Sequence, residues 1–341
     1  MMRLFAVLAL AFVGLMPVAA EARIITDAAG RTVSVPDKIN RILVAGPPAA
    51  VLVYVLAPEK LVGWVHAPDD AAKAYLMPSV RSLPTIGRLT GKDGAISSQA
   101  VTDAKPDIIL DAGTVDPTYK ALADKVQSDA HIPYVLIDGS FARTADTLRD
   151  VGALIGVEDR ANKLADYADT AIKDLNEKLA TLPNDPRPRV YYGRGADGLE
   201  TGLSGSINLE ILDAVGTMNV AAAAGKGGLT KVTPPQVAGW NPDIIIAENP
   251  DFAASVKSDP QWAGIKAVKD GKIFVPPSLP FGWFDSPPGI NRLLGVRWME
   301  KLIYPKLFRS DFSDDVRQFY KLFYQVDLTD NQLAALLKGM K

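Results

Sequence analysis

Pro106-Asp107-Ile108-Ile109-Leu110 and Pro242-Asp243-Ile244-Ile245-Ile246 are nearly the same phrase written twice, 136 residues apart. Each is a short apolar run without alternation, the pattern of a strand covered on both faces. Each follows an amphipathic helical stretch, Ser98 to Ala104 in the first case and Pro235 to Trp240 in the second. Each precedes a helix and another apolar strand, Tyr134 to Ile137 and Lys272 to Val275. The repeat predicts two related α/β lobes, each built on a mostly parallel sheet.

Between the two phrases runs Asp159 to Leu182. Leu164, Ala168, Ala171, Leu175, Leu179 and Leu182 recur at spacings of three and four, with Lys and Asp on the other face. This predicts one amphipathic helix of about 24 residues, roughly 36 Å long at 1.5 Å per residue. Pro183 and Pro186 end it. A single long helix joining two Rossmann-like lobes limits them to small opening and closing motions. The expected divisions are 23–158 for the first lobe, 159–182 for the interlobe helix, 183–303 for the second lobe, and 304–341 for helices packed on the lobes.

The first lobe opens with a hairpin, Ile24 to Val35, turning at Asp27-Ala-Ala-Gly30. Arg41 to Ala45 reads as a buried strand ending at Gly46-Pro47-Pro48. A short helix, Ala49 to Leu56, and a second strand, Leu61 to Val65, follow. In the tail, Ser313 is positioned to cap a helix carrying Val316, Phe319, Tyr320 and Phe323. Thr329 or Asp327 is positioned to cap a last one. The aromatic stripe reads as core packing.

Composition narrows the function. The chain has 341 residues, 37 Lys plus Arg against 39 Asp plus Glu, and no Cys. A net charge of −2 argues against nucleic-acid binding. The absence of Cys excludes disulfides, thiolate metal sites, Cys nucleophiles and a lipid anchor through Cys. Met1 to Ala22 reads as a secretory signal: Arg3, an apolar run Leu4 to Val18, and Ala20-Glu21-Ala22 for cleavage before Arg23, with Val18-Ala19-Ala20 as a second acceptable site. No other apolar run reaches about 18 residues. A free periplasmic protein is expected.

Several motifs invite chemistry. Gly193-Arg-Gly195-Ala-Asp-Gly198 matches a dinucleotide fingerprint after the strand Arg189 to Tyr192, but Gly202 and Gly205 follow where a helix should begin. A tight Gly loop is the better reading. Gly202-Leu-Ser204-Gly-Ser206 resembles a nucleophile elbow without its final Gly, and only His66 and His131 are available as a base. An exported enzyme using Ser204 or the Gly193–Gly198 loop is thus the alternative from another class. His66, Tyr191, Tyr192 and Glu248 are candidates to gather on a hard cation, though no metal motif is present. Ser206 is placed to cap the helix Leu209 to Val215 and to leave free N–H groups for an anion. Arg88 and Arg194, at strand ends in opposite halves, suit a carboxylate, phosphate or oxyanion. Phe281-Gly-Trp283-Phe284-Asp285 is an aromatic loop of the kind that lines ligand clefts.

The chain resembles the class III periplasmic binding proteins of ABC importers, the ferric siderophore and cobalamin binding family. The resemblance rests on Asp27-Ala-Ala-Gly-Arg31, Arg41-Ile-Leu-Val, Pro58-Glu-Lys-Leu-Val-Gly63, Lys105-Pro-Asp-Ile-Ile109 and the long helix. It continues through Ser204-Gly-Ser-Ile-Asn208 with Leu212, Gly216 and Asn219, and Asn241-Pro-Asp-Ile-Ile245. It implies two α/β lobes with a ligand cleft between them, no catalysis, no cofactor, a monomer, and partners in a permease and ATPase. By position it implies a cleft lined by Pro47, Pro48, Trp64, His66, Arg88, Thr114, Tyr192, Arg194, Ser204, Ser206, Trp283 and Phe284. Many members dock on the permease through a Glu on each lobe; here those positions are Gln99 and Pro235, with Glu59 as a substitute on the first lobe. The arginines and aromatics suit a ferric chelate. The Gly- and Ser-rich loops suit an oxyanion, as in the molybdate- and tungstate-binding branch, and cobalamin fits less well.

Overall fold

A computed structural model describes residues 22–89, 97–182 and 187–338. The signal segment before Ala22 and the prolines Pro183 and Pro186 lie outside the described residues. The first lobe contains β1 (Ala22–Thr26), β2 (Thr32–Pro36), β3 (Ile42–Val44), α1 (Pro47–Leu56), α2 (Asp70–Lys73), α3 (Ser98–Asp103), β4 (Ile108–Gly113), α4 (Pro117–Ala130), β5 (Tyr134–Asp138) and α5 (Thr144–Ile155). Strands β3, β4 and β5 form a parallel sheet in that order, with Ile42 opposite Ile108 and Ile109 opposite Tyr134. The expected strand Leu61 to Val65 is reduced to two isolated bridges, Leu61 to Ile42 and Trp64 to Thr85. The segment contacts the sheet edge and then diverges.

The β1–β2 hairpin closes the other edge of this sheet. Asp27 accepts from the N–H groups of Ala29 and Arg31 at the turn, and Leu136 N donates to the same carboxylate. Arg31 reaches across to Tyr134 O at 2.8 Å and to Gln127 at 3.0 Å. Ala28 N takes Leu136 O. The edge strand β5 is therefore unavailable for pairing with another chain.

Helix α6 (Glu158–Leu179) joins the lobes, about 33 Å long by the same rise. Its buried face is small-residue rich, with Ala161, Ala165, Ala168 and Ala171 beside Leu164 and Leu175. Close packing on α5 requires Gly152, where a Cβ would lie 2.1 Å from that of Ala161. Arg160 fastens the helix to the first lobe through Val55 O at 3.0 Å. At the far end Asp174 pairs with Arg297 at 2.9 Å.

The second lobe contains β6 (Arg189–Gly193), β7 (Glu200–Gly202), α7 (Glu210–Ala214), β8 (Met218–Asn219), β9 (Leu229–Lys231), α8 (Pro234–Trp240), β10 (Ile244–Ala247), α9 (Pro250–Ser255), α10 (Lys266–Lys269) and β11 (Ile273–Phe274). Its parallel sheet runs β11-β10-β6-β8, and β7 pairs with β9 antiparallel. Helices α11 (Arg292–Ile303), α12 (Phe312–Phe319) and α13 (Asp330–Leu336) complete the chain. Asp311, not Ser313, caps α12 through Ser313 N, while Thr329 caps α13 in a capping box with Gln332.

One large buried apolar cluster spans both lobes, beside a smaller cluster within each. It includes α1, buried on every face from Ala49 to Leu56, and extends to Trp283, Phe319 and Leu336. Tyr54 on α1 bonds Tyr324 O at 2.7 Å and packs against Trp64, Phe281 and Tyr324. The aromatic tail thus plugs the junction of the lobes, as core packing.

Candidate functional site

Parallel α/β sheets bind ligands beyond the carboxyl ends of their strands, and here those ends of the two sheets flank a cleft. A cavity of about 160 Å³ lies there, lined on the first lobe by Pro47, Trp64, Val65 and His66 and on the second by Pro280, Phe281 and Pro287. Pro47 is present because β3 ends one turn before α1. Trp64 is held by Nε1 donating to Val80 O at 2.8 Å, and by N–H and C=O ladder bonds to Pro84 and Ile86. His66 is exposed at the rim. A larger hollow of about 630 Å³ lies between the β1–β2 hairpin and α5, but no second-lobe residue lines it.

The second-lobe wall is a loop, residues 279–291, fastened at several points. Tyr320 Oη donates to Leu279 O, and Asn291 donates to Gly282 O and Pro287 O. Trp283 Nε1 donates to Tyr320 Oη at 3.3 Å. The Leu279–Pro280 and Ser286–Pro287 peptides are cis.

Beneath this loop the structure corrects the sequence reading. Arg194 pairs with Asp285 at 2.7 Å, with Glu200 at 2.8 Å and with Glu248 at 3.6 Å. Its three nitrogens all face carboxylates of its own lobe, so its charge is already neutralised. Asp285 also accepts from Tyr192 Oη at 3.3 Å and from Asn208. Burial lifts the Asp285 carboxyl to about 6, against the pull of Arg194 and Asn208. Glu248 accepts from Gly195 N at 3.0 Å and from Ser286. Sequence reasoning missed Glu200, Glu248 and Asp285 as partners of Arg194; they come from three separate segments and carry no local signal.

Tyr192, Trp283 and Phe284 are all buried, at 1 %, 0 % and 1 % exposure. They pack in the core, with Tyr192 and Phe284 ring centroids 4.3 Å apart, and none lines the interlobe cavity. Pro48 lines a separate seam of about 20 Å³ with Gly139, Gly289 and Arg292. Ser204 and Ser206 line a hollow of about 230 Å³ on the second lobe, with Arg187, Glu210 and Asp213. Ser206 does not cap a helix: its hydroxyl bonds Asn208, and a 3₁₀ turn, Ile207–Leu209, precedes the five-residue α7. No histidine lines that hollow, so Ser204 lacks a base. Arg88, half-buried, stands near Tyr119, and Thr114 is exposed just beyond β4.

Gly193–Gly198 is a tight turn closed by Arg194 N to Glu200 O at 2.8 Å and leads into β7, not into a helix. This geometry offers no helix N-terminus to a pyrophosphate. Tyr191 and Tyr192 point to opposite faces of β6, to Gly198 O and to Asp285 respectively. With His66 they do not converge on a cation, and among the described residues no cluster of three His, Cys, Asp or Glu does. Glu59 and Gln99 are exposed on the first lobe, Gln99 bonding Asp103. Among the described residues no helix is long and apolar enough to cross a membrane.

The comparisons agree with this architecture. The family described as periplasmic binding protein matches residues 49–279. The chain is 28 % identical to the molybdate-binding protein MolA of Haemophilus influenzae over 92 % of this chain and 93 % of that one. The solved structure of MolA bound to molybdate superimposes with a TM-score of 0.76 at 26 % identity, covering 90 % of this chain and 99 % of that one. An ABC transporter solute binding protein from Sulfurospirillum deleyianum gives a TM-score of 0.83 at 29 % identity, over 93 % and 99 % of the two chains. The Fe(3+)-citrate-binding protein YfmC of Bacillus subtilis is 25 % identical over 52 % of this chain and 55 % of that one. The proteins of this family bind substrates and are not enzymes. The chain belongs to the class III periplasmic binding proteins, the solute-binding components of ABC transporters.

Proposed function

We propose that the interlobe cavity of this binding protein takes a small tetrahedral oxyanion of the molybdate type. The observation that carries the reading is size. About 160 Å³ is below the ~300–1,000 Å³ typical of sites for drug-sized ligands, which disfavours a bulky ferric chelate. The N-terminus of the ten-residue α1 meets the cavity at Pro47, with no acidic residue in its first turn, so its dipole favours an anion. Pro47 and Pro48 supply no N–H, and His66 is the titratable side chain on the rim. The near full-length likeness to MolA supports the same ligand class.

In this reading Pro47, Trp64 and His66 form the first-lobe wall and Phe281 the facing one. Arg88 supplies long-range attraction. Arg194 holds the loop rather than the ligand. Cleavage near Ala22 releases the chain to the periplasm as a monomer, with lobes at 23–158 and 183–303. Its ligand passes to a membrane permease and ATPase, with Glu59 and Gln99 exposed on the docking side. The test is a thermal-shift panel of molybdate, tungstate, sulfate and ferric citrate, since a ligand that binds only the native state raises its stability. Molybdate and tungstate should raise the melting temperature. A shift with ferric citrate alone would favour the iron-chelate reading instead.

A further inference from the structure

The two lobes are joined at one more place than the long helix and the aromatic tail. Arg292, at the start of α11 in the second lobe, is 1 % exposed. Its Nη2 donates to Gly139 O of the first lobe at 2.6 Å. Its Nη1 donates to Ile207 O at 2.7 Å and to Glu210 Oε2 at 3.0 Å, both in the second lobe. Glu210 Oε2 in turn accepts from Phe141 N of the first lobe at 2.7 Å. The guanidinium carbon lies 5.7 Å from the centre of the Phe141 ring. One ion pair of the second lobe therefore grips two backbone groups of the first, on the segment that follows β5.

The place matters. Gly139 and Arg292 line the seam of about 20 Å³ beside Pro48, at the N-terminal turn of α1. Pro287 lines the interlobe cavity, and Pro288 and Gly289 line the seam. Arg292 Nε donates to Gly289 O at 3.2 Å. A rotation that widens the cleft must pull Gly139 O and Phe141 N away from Arg292 and Glu210. That would leave Arg292 Nη2 and the Phe141 N–H without their partners, which is costly because buried polar groups need them.

We propose that Arg292 and Glu210 form a latch across the cleft floor that sets the lobe spacing, and through it the size of ligand admitted. They are positioning residues and touch no ligand. The spacing claim stands on the interlobe bonds alone. The size-selection claim rests on the small-oxyanion reading above.

The chain has no Cys, so paired labels at Ser128→Cys on α4 and Lys257→Cys beyond α9 report lobe spacing by pulsed electron resonance without background. In the ligand-free parent the distance distribution should be narrow. Arg292→Met should broaden it and shift its mean. Glu210→Gln should do the same to a smaller degree, because an amide oxygen still accepts from Phe141 N while the charge is lost. Glu210→Gln also serves if Arg292→Met fails to fold. Distributions indistinguishable from the parent in folded Glu210→Gln protein would overturn the latch. The second readout is selectivity, the ratio of molybdate to ferric-citrate affinity, which should fall in Glu210→Gln. A broadened distribution with an unchanged ratio would overturn size selection and leave the latch. A parent that binds no oxyanion would overturn the ligand reading, with the spacing result still standing.

Discussion

Replacing Arg194 by Met separates two roles that an arginine at this strand end can have. The substitution leaves Asp285, 1 % exposed, without the guanidinium 2.7 Å away. Breaking a buried pair from one side costs about 3–5 kcal/mol. Tyr192 and Asn208 remain as donors to Asp285, which puts the cost near the lower end. The Glu200 and Glu248 side chains keep 31 % and 28 % of their exposure, so their pairs add little. A loss of ~3 kcal/mol lowers the melting temperature by roughly 4–5 °C in a chain of this length, at an unfolding entropy of ~2.1 cal/mol/K per residue. In Arg194→Met/Asp285→Asn both charges are gone, and a neutral pair of similar volume is often as stable as the ionic one. The double variant should therefore regain most of the loss, a strongly non-additive cycle. The assay is thermal and urea denaturation of the four proteins, with molybdate affinity measured on each. If Arg194 holds the loop rather than the ligand, affinity recovers with stability in the double variant, to within ~0.5 kcal/mol. A double variant as stable as the parent that binds molybdate about tenfold more weakly, ~1.4 kcal/mol, would make Arg194 a ligand contact and refute the reasoning.

Other outcomes follow from the same contacts. Gly295→Ala should cost at least ~1–3 kcal/mol in urea denaturation, because its Cβ would lie 1.9 Å from the Trp283 carbonyl oxygen, which the fastened loop holds in place. Burial raises Asp285 from 3.8 to about 6 and Glu300 from 4.5 to about 7. Their folded forms hold protons more tightly than the unfolded chain. Their stabilising effect is full below about pH 4 and is lost as pH rises through 6 to 7. Denaturation between pH 5 and 8 should show stability falling with pH from these groups, by about 1 kcal/mol for Asp285 across that window, since the earlier part of the fall lies below pH 5. Asp285→Asn should flatten that part of the slope. Removing the rim donor in His66→Ala should weaken molybdate by ~0.5–1.5 kcal/mol, the range of one hydrogen bond, as read by calorimetry. The melting temperature should be unmoved, since His66 is exposed.

The fold was legible because it is periodic. The repeated Pro-Asp-Ile-Ile phrase marks β4 and β10, the central strands of their sheets. The three- and four-residue spacing after Asp159 marks α6 to within three residues at either end. The candidate site was legible only where it is local. Pro47, Trp64 and His66 follow strands or bridges, and strand ends can be counted from sequence. Arg194, Glu200, Glu248 and Asp285 meet across 92 residues of chain, and charge alone does not say which carboxylate an arginine will find. Trp283 and Phe284 sit in a Pro- and Gly-rich loop that reads as the lining of a cleft. They are buried because Tyr320 and Phe312, further along the chain, cover Trp283, while Tyr192 packs at a tilt against Phe284. Ser206 had the composition of a cap, but the chain takes a 3₁₀ turn first and its hydroxyl turns to Asn208.

The most direct test of the interlobe oxyanion site is calorimetric titration of the protein with molybdate, repeated in Trp64→Ala. The cavity reading predicts one site per chain, saturable and competed by tungstate, and a large loss of affinity when the Trp64 wall is removed from folded protein. Saturable binding that Trp64→Ala leaves unchanged, or no binding beside a clear response to ferric citrate, would contradict it.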